Sequence, residues 1–583
     1  GDHISPRAEE RQHGRDLGAR FDHFLLGGPL QREADAVPDV VEVEGHFHER
    51  RGLHVVFLGD DDHGGVLECR RRFVLRPGRG EQEQRVDVRD DVVEKNGGPT
   101  KTFLREIAPI AVFFGPGRVS RSMDIDTEWL GDWHAPGGEP AGSGAPDLTI
   151  LHLSDLHGQL APGQQVYYRT ERGGPPIDFE GGRSTLTQIG GLATHVAKID
   201  QLRSAGETLV LMSGDTFHGS AETTFSNGRI MVEPINEHVR PDVYVPGNWD
   251  FGNEAVADGS AQSLFDGLDA PVLANNLQDE AGEQLYEGYT LVERAGHTIG
   301  VVGMTNPYVD RMAPAFHDGK YTFGKSPTLL DRTARAAREA GAEFVIAVTE
   351  IGLPWMVQAG KDFDSVDLSL SAHTHEYTYE PIGLPETGTT VIESGMGGSL
   401  GRVDLRFDDA GPALRHVLYT FAIDAPYTPS PDEATRETVR RLREPFLEED
   451  PNRHRGVVDL HQPIDTVVGE TGTELARQSF LESPVNTLLN DALREATGAD
   501  LAVSHGNRYG LALPAGEITL EDLYTLVPVT APVAVGDAWG QQLRSHVEAY
   551  LIDNFTPHVY DQEDGRVRAF SSNVALEIDP TAK

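Results

Sequence analysis

An apolar run ending in Leu153-Ser154-Asp155-Leu156-His157-Gly158 is the first of a series of motifs that recur in one order along this chain. The others are Ser213-Gly214-Asp215, Pro246-Gly247-Asn248-Trp249-Asp250 and Ala372-His373-Thr374-His375, each just after an apolar stretch. Such stretches read as buried strands, so acidic, amide and imidazole side chains are delivered again and again at strand ends. From about Asp147 to Asp424, strands alternate with helical stretches such as Pro327 to Ala340. That alternation predicts an α/β sandwich whose loops form the site.

The residue types suit a two-cation hydrolase, in which paired cations ionise water near neutral pH and clamp ester oxygens. Asp155 and His157, two apart, can face one cation from a turn, and Asp215 has two oxygens with which to bridge a pair. Asn248 offers a neutral carbonyl oxygen, and His373 and His375 two imidazoles, a mixed oxygen and nitrogen set that suits manganese, iron or zinc. No cysteine takes part, which excludes a thiolate site. Taken singly, Asp-x-His reads as a capping aspartate beside a surface histidine, and Gly-Asp as a turn. Their fixed order points to metal ligands. His152, inside the strand, reads as a packed core histidine.

The series resembles the calcineurin-like metallophosphoesterases, in the branch that holds 5'-nucleotidases, 2',3'-cyclic phosphodiesterases and the thiosulfohydrolase of the Sox pathway. The resemblance runs from about residue 147 onward and extends to Gly190-Gly191-Leu192 and Gly214-Asp215-Thr216-Phe217-His218-Gly219-Ser220. It implies that Asp155, His157, Asp215, Asn248, His373 and His375 match metal-ligand positions. It also implies a metallophosphoesterase β-sandwich flanked by helices, followed by a smaller α/β C-terminal domain of 5'-nucleotidase type.

Two positions depart from that pattern. The phosphatase pattern has a histidine after Asn248, where this chain has Trp249; an indole carries only a donor N–H and cannot relay a proton. The Sox enzymes resemble this chain in placing tryptophan there. A further histidine ligand is replaced within Val348-Thr349-Glu350-Ile351-Gly352, which makes Glu350 the candidate substitute. A carboxylate there tilts the site toward manganese or magnesium.

Further on, Glu482 to Arg494 reads as a helix and Ala499 to Val503 as a strand, an arrangement that resembles the substrate-binding domain of 5'-nucleotidases. Ser504-His505-Gly506-Asn507-Arg508-Tyr509-Gly510 stands where that domain carries its substrate-gripping loop. His505, Asn507, Arg508 and Tyr509 are therefore candidate substrate contacts, with Arg508 recognising an anion through its planar fork. Arg508-Tyr509-Gly510, Asn554-Phe555-Thr556-Pro557 and the Tyr560-Asp561-Gln562 stretch are closer to the Sox type. Between the domains, Ser430-Pro431-Asp432-Glu433 predicts a helix start, with serine as cap and the helix running toward Glu449.

Charge separates the chain into unlike parts. The net charge is −42 over 583 residues, yet residues 1–122 hold 19 Lys+Arg against 22 Asp+Glu. Lysine is scarce after Met123, where only Lys198, Lys320, Lys325, Lys361 and Lys583 occur. An acidic, lysine-poor surface suits molar salt and resembles haloarchaeal proteins. It argues against nucleic-acid binding.

Residues 1–122 contain none of the 7 methionines, hold the only cysteine, Cys69, and show no sustained apolar period. They are expected to be a non-native or disordered leader ahead of a start at Met123. Residues 123–146, with Ala135 to Gly144 rich in Gly and Pro, then read as a linker, 147–425 as the metal-binding domain, 426–460 as a connecting helix and 461–583 as the substrate-binding domain. No stretch is apolar enough to span a membrane and neither start resembles an export signal, so a cytoplasmic location is expected, with export possible by family analogy.

The leading expectation is a hydrolase of phosphate esters, nucleotide-like, with two divalent cations, manganese first and zinc, iron or magnesium as alternatives. A thiosulfohydrolase acting on a carrier protein's thiosulfonate is the second reading. A noncatalytic metal- or nucleotide-binding protein is the third.

Overall fold

The computed structural model describes residues 53–58, 73–77, 145–169, 183–252, 260–312, 320–408, 411–423, 427–448, 460–476, 483–504, 510–528, 533–556, 558–561 and 568–578. Two sheets dominate the region after residue 147. Their strands are, in chain order, β1 Leu148–Ser154, β2 Thr208–Ser213, β3 Val243–Val245, β4 Tyr289–Arg294, β5 His297–Met304, β6 Phe344–Thr349, β7 Leu368–Ser371, β8 Ile382–Gly383, β9 Thr390–Glu393, β10 Ser399–Asp408 and β11 Gly411–Thr420. The first sheet runs β11-β10-β1-β2-β3 and the second β8-β9-β7-β6-β5-β4.

Strand alternation sorts the apolar side chains between layers. Leu148 and Ile150 of β1, Leu209 and Leu211 of β2, and Ile346 and Val348 of β6 share a core between the two sheets. Leu151 and Leu153 turn the other way, packing with Val196 and Ile199 of helix α1, Leu192–Arg203. On the far side, Val345 and Ala347 of β6 pack with Leu330, Ala334 and Ala337 of α2, Thr328–Glu339, and with Trp355 and Met356 of α3, Leu353–Asp362. The result is a β-sandwich flanked by helices, as the sequence implied.

Register brings the strand ends together. β1, β2 and β3 are parallel, with Ser154 opposite Ser213 and Ser213 opposite Val245. β5, β6, β7 and β9 are also parallel, with Met304 opposite Thr349, Thr349 opposite Ser371, and Ser371 opposite Glu393. The loops carrying Asp155, Asp215 and Asn248 therefore leave one sheet side by side, and those carrying Glu350 and His373 leave the other.

The connecting helix α4 spans Glu433–Arg443, and its cap is Asp432 rather than Ser430. Asp432 is extended and its carboxylate accepts from the Thr435 amide at 2.7 Å, the bond a capping side chain makes at the third helical position. The helix gives way to a short 3-10 turn over Glu444–Phe446, because Pro445 has no N–H with which to continue it. In the C-terminal region, α5 covers Pro484–Thr497, capped by Ser483 and closed by Gly498 at φ 68°. It leads into the strand Leu501–Ser504, the helix-then-strand order expected.

Of residues 1–122, the described ones are two strands. Leu53–Leu58 lies between Leu501–Ser504 and Val533–Ala538, and Phe73–Pro77 pairs with Val574–Ile578. Met123 and the linker from Ala135 to Gly144 lie outside the described residues. No described helix is long and apolar enough to cross a membrane.

Candidate metal centre

Asp155 and His157 follow β1 directly, and both are buried. Backbone bonds stitch their turn to the neighbouring loop: the Asp155 amide donates to Gly214 O at 3.1 Å and the His157 amide to Asp215 O at 2.7 Å. His157 Nε2 lies 3.0 Å from His375 Nε2 and 3.9 Å from an Asp215 oxygen, while His375 Nε2 lies 3.1 Å from an Asp155 oxygen. One ligand atom from each of Asp155, His157, Asp215 and His375 lies within 4.8 Å of the others.

A second group adjoins the first. His373 Nδ1 is 3.0 Å from Asn248 Oδ1 and 3.3 Å from Glu350 Oε1, and the Asn248 amide donates to Glu350 Oε2 at 3.2 Å. The His373 amide donates to the Asp155 carboxylate at 3.1 Å, which ties the groups together. Each metal-ligand position expected from the sequence thus falls in one of the two groups. His505, Asn507, Arg508 and Tyr509 lie outside the described residues.

With this geometry in view, the comparisons with known proteins are consistent. Residues 148–377 match the calcineurin-like phosphoesterase family, and residues 464–583 match the 5'-nucleotidase C-terminal domain. The chain is a calcineurin-like phosphoesterase with a 5'-nucleotidase C-terminal domain. This phosphoesterase is 23% identical over 466 residues to a probable 5'-nucleotidase of Treponema pallidum, covering 70% of this chain and 75% of that one. In fold it is similar to the sulfate thiohydrolase SoxB of Thermus thermophilus, with a TM-score of 0.61, 23% identity and coverage of 73% of this chain and 82% of that one. It is also similar to a 5'-nucleotidase precursor of Thermus thermophilus, with a TM-score of 0.54, 16% identity and coverage of 74% and 81%.

The phosphoesterase's donor set fits divalent cations. Ligand atoms that share one cation at bonds of about 2.1 Å sit roughly 3 Å apart, which is the spacing of the His157–His375 and His375–Asp155 pairs. Burial pushes the Glu350 carboxyl well above its ordinary range, and the nearby Asp215, Asp155 and Asp250 carboxylates push it further. Such a cluster calls for positive charge among its oxygens.

Backbone strain marks the same place. Asp155, His157, Asp215, His373 and His375 all take left-handed φ between 44° and 86°, a region that costs an L-residue roughly 1–2 kcal/mol. Among the described non-glycine residues, only Asn227, Arg240 and Ala295 share it. Strain concentrated this way is stored where the fold must hold side chains in one direction.

Three residues support the site in ways that sequence reasoning did not assign. Asp250 is buried beneath the site and accepts from the amides of Thr216, Phe217 and Gly247 and from the Tyr244 hydroxyl, so one carboxylate holds the loops bearing Asp215 and Asn248. Its position two residues after Asn248 was a legible signal. His152 is a core histidine, as read, but it also bridges Ser394 Oγ at 2.8 Å and Ser213 Oγ at 2.7 Å. Burial, aided by His416, pushes it down to about 3, so it stays neutral. The third is Glu393, which is buried among donors of the His373–His375 loop.

Trp249 occupies the position expected for a histidine. Its amide donates to Asp215 at 2.7 Å, so its backbone orients a candidate ligand, and its indole stacks on His218.

Proposed function

We propose that this metal-dependent phosphoester hydrolase acts on nucleotide-like phosphate esters at a two-cation centre. Asp155, His157, Asp215 and His375 would hold one cation, and Asn248, Glu350 and His373 the other, with Asp215 between them. The observation that supports this most is the meeting of ligand positions from both sheets at aligned strand ends. Cations bound there would polarise the ester oxygens and ionise a water near neutral pH. The mixed set, with Glu350 where a histidine was expected, favours manganese, with zinc, iron or magnesium as alternatives.

The chain's own residues supply orientation. Buried backbone and carboxylate bonds fix the ligands before substrate arrives, so little reorganisation is needed during reaction. His505, Asn507, Arg508 and Tyr509 would grip the distal part of the substrate, in a chain divided at 147–425, 426–460 and 461–583. The acidic surface fits activity in molar salt.

Trp249 favours a second reading, sulfate release from a carrier protein's thiosulfonate, because it removes the proton relay that a poor alkoxide leaving group needs. Phosphate release from AMP with Mn²⁺ in molar KCl, beside an Asp215→Ala control, tests the first reading. Release that disappears in the control supports it. Sulfate release from a thiosulfonate without phosphate release from AMP moves the assignment to the second.

A further inference from the structure

We infer that Glu393 is a positioning residue whose carboxylate sets the backbone of the His373-Thr374-His375 loop, and so aims both imidazoles at the cations. The inference rests on the cation-binding reading above and adds a residue to it. Glu393 ends β9 directly opposite Ser371, the last residue of β7, from which the loop departs. It is wholly buried.

Its bonds span the loop. Oε2 accepts from Ser371 Oγ at 2.9 Å before the histidines, both oxygens accept from Thr374 Oγ1 at 2.8 Å between them, and Oε1 accepts from the Glu376 amide at 2.9 Å after them. The flanking strand adds further ties, because the Thr378 amide donates to Glu393 O and the Glu393 amide to Thr378 Oγ1, each at 3.0 Å. A loop held before, within and after two histidines has little freedom to relax. That restraint is what His373 at φ 86° and His375 at φ 58° require, since neither conformation is the one an isolated histidine prefers.

A buried carboxylate is a costly way to brace a loop unless its acceptors are used, and here both oxygens are used. Thr374 extends the brace outward. Its hydroxyl also accepts from the Leu353 amide at 2.9 Å, which ties the loop to the start of α3. Glu393 has no ligand role in this account; it acts through the histidines.

The test is calorimetric titration of the metal-stripped full chain with MnCl₂, alongside melting of each stripped protein. The wild type, Glu393→Ala, Glu393→Gln and Thr374→Val are compared, with Asp215→Ala as the ligand control. Glu393→Ala is expected to weaken Mn²⁺ binding about 10- to 100-fold, the range for residues that orient ligands, while the stripped protein still melts cooperatively. Glu393→Gln is expected to restore most of the affinity, because its amide oxygen still accepts from Glu376 and its NH₂ can donate to Ser371.

Wild-type affinity in Glu393→Ala, with only a lower melting temperature, would overturn the inference and leave Glu393 a structural residue. If Glu393→Ala fails to fold, Thr374→Val decides: weakened binding supports the brace and wild-type binding overturns it. Absence of Mn²⁺ binding by the wild type would overturn the cation-binding reading itself, and the brace with it.

Discussion

The indole of Trp249 lies flat against the imidazole of His218, with ring centroids 4.7 Å apart and planes 9° from parallel. Burial pushes His218 down to about 4, although a hydrogen bond to the Pro528 backbone raises it in part, so the ring stacked on the indole is neutral at pH 7. Neither ring is therefore a ready proton donor. The residue after Asn248 is thus a stacked indole where the phosphatase pattern has a histidine.

Trp249→His follows directly. General acid catalysis contributes about 10²–10⁴-fold, so even a poorly aligned imidazole at this position is expected to raise kcat for AMP by about tenfold or more. Mn²⁺ affinity should stay close to wild type, since the backbone bond to Asp215 does not depend on the side chain. Steady-state phosphate release checks this, and an unchanged kcat would show that an imidazole at 249 does not reach the leaving group. A wild type without turnover beside an active variant would favour the noncatalytic reading.

Asp215→Ala removes the carboxylate shared by the proposed cation sites. Hydrolysis is expected to be lost and excess Mn²⁺ not to restore it, whereas chelated wild-type protein regains activity on Mn²⁺ addition. Turnover by the variant at the wild-type rate would remove Asp215 from the centre.

Asp250→Ala should act mainly through stability. Removing this carboxylate leaves the amides of Thr216, Phe217 and Gly247 and the Tyr244 hydroxyl without their shared acceptor. Each buried donor left unsatisfied costs about 1–3 kcal/mol, so the total loss is expected to exceed about 3 kcal/mol. Denaturant unfolding measures it, and a loss below about 1 kcal/mol would mean that water replaces the carboxylate.

A pH dependence is expected where the two regions meet. Arg443 of α4 pairs with the buried Glu222 and, at 2.7 Å, with Glu521 of the C-terminal region. Burial raises the Glu521 carboxyl to about 7, Glu222 adds to the rise and Arg443 opposes it. A carboxyl raised on folding binds its proton more tightly in the native state. Its contribution to stability is full below the ordinary glutamate range and is lost as pH rises through about 7. The melting temperature difference between wild type and Glu521→Gln should therefore shift against wild type between about pH 5 and pH 8. A shift in the opposite direction would contradict the raised value.

The sequence exposed the candidate ligands because they follow apolar strands, where chain order and local chemistry coincide. Asp155, Asp215 and His373 could be found that way, the α/β sandwich was expected from the same alternation, and the β-sandwich flanked by helices from the family resemblance. Glu393 could not. Its partners are set by the register of β7 against β9, and nothing within Val391-Ile392-Glu393 signals that register. His152 was legible as core, but its hydroxyl partners arrive from 61 and 242 residues away. The α4 cap was misplaced because Ser430 and Asp432 are both good caps by type, and only the extended backbone at Asp432 decides between them.

The order of the strands also sets when the centre can come into being. β1, which delivers Asp155 and His157, is flanked on one side by β10, and His373 follows Asp155 by 218 residues. At synthesis rates of about 5–20 residues per second, the first ligands leave the ribosome on the order of ten seconds or more before the last. Until β7 and β10 emerge, the nascent protein holds an incomplete set of the proposed ligands beside an unpaired strand edge. Cation loading at the proposed centre would therefore be a late act of biogenesis, completed only once both sheets have formed.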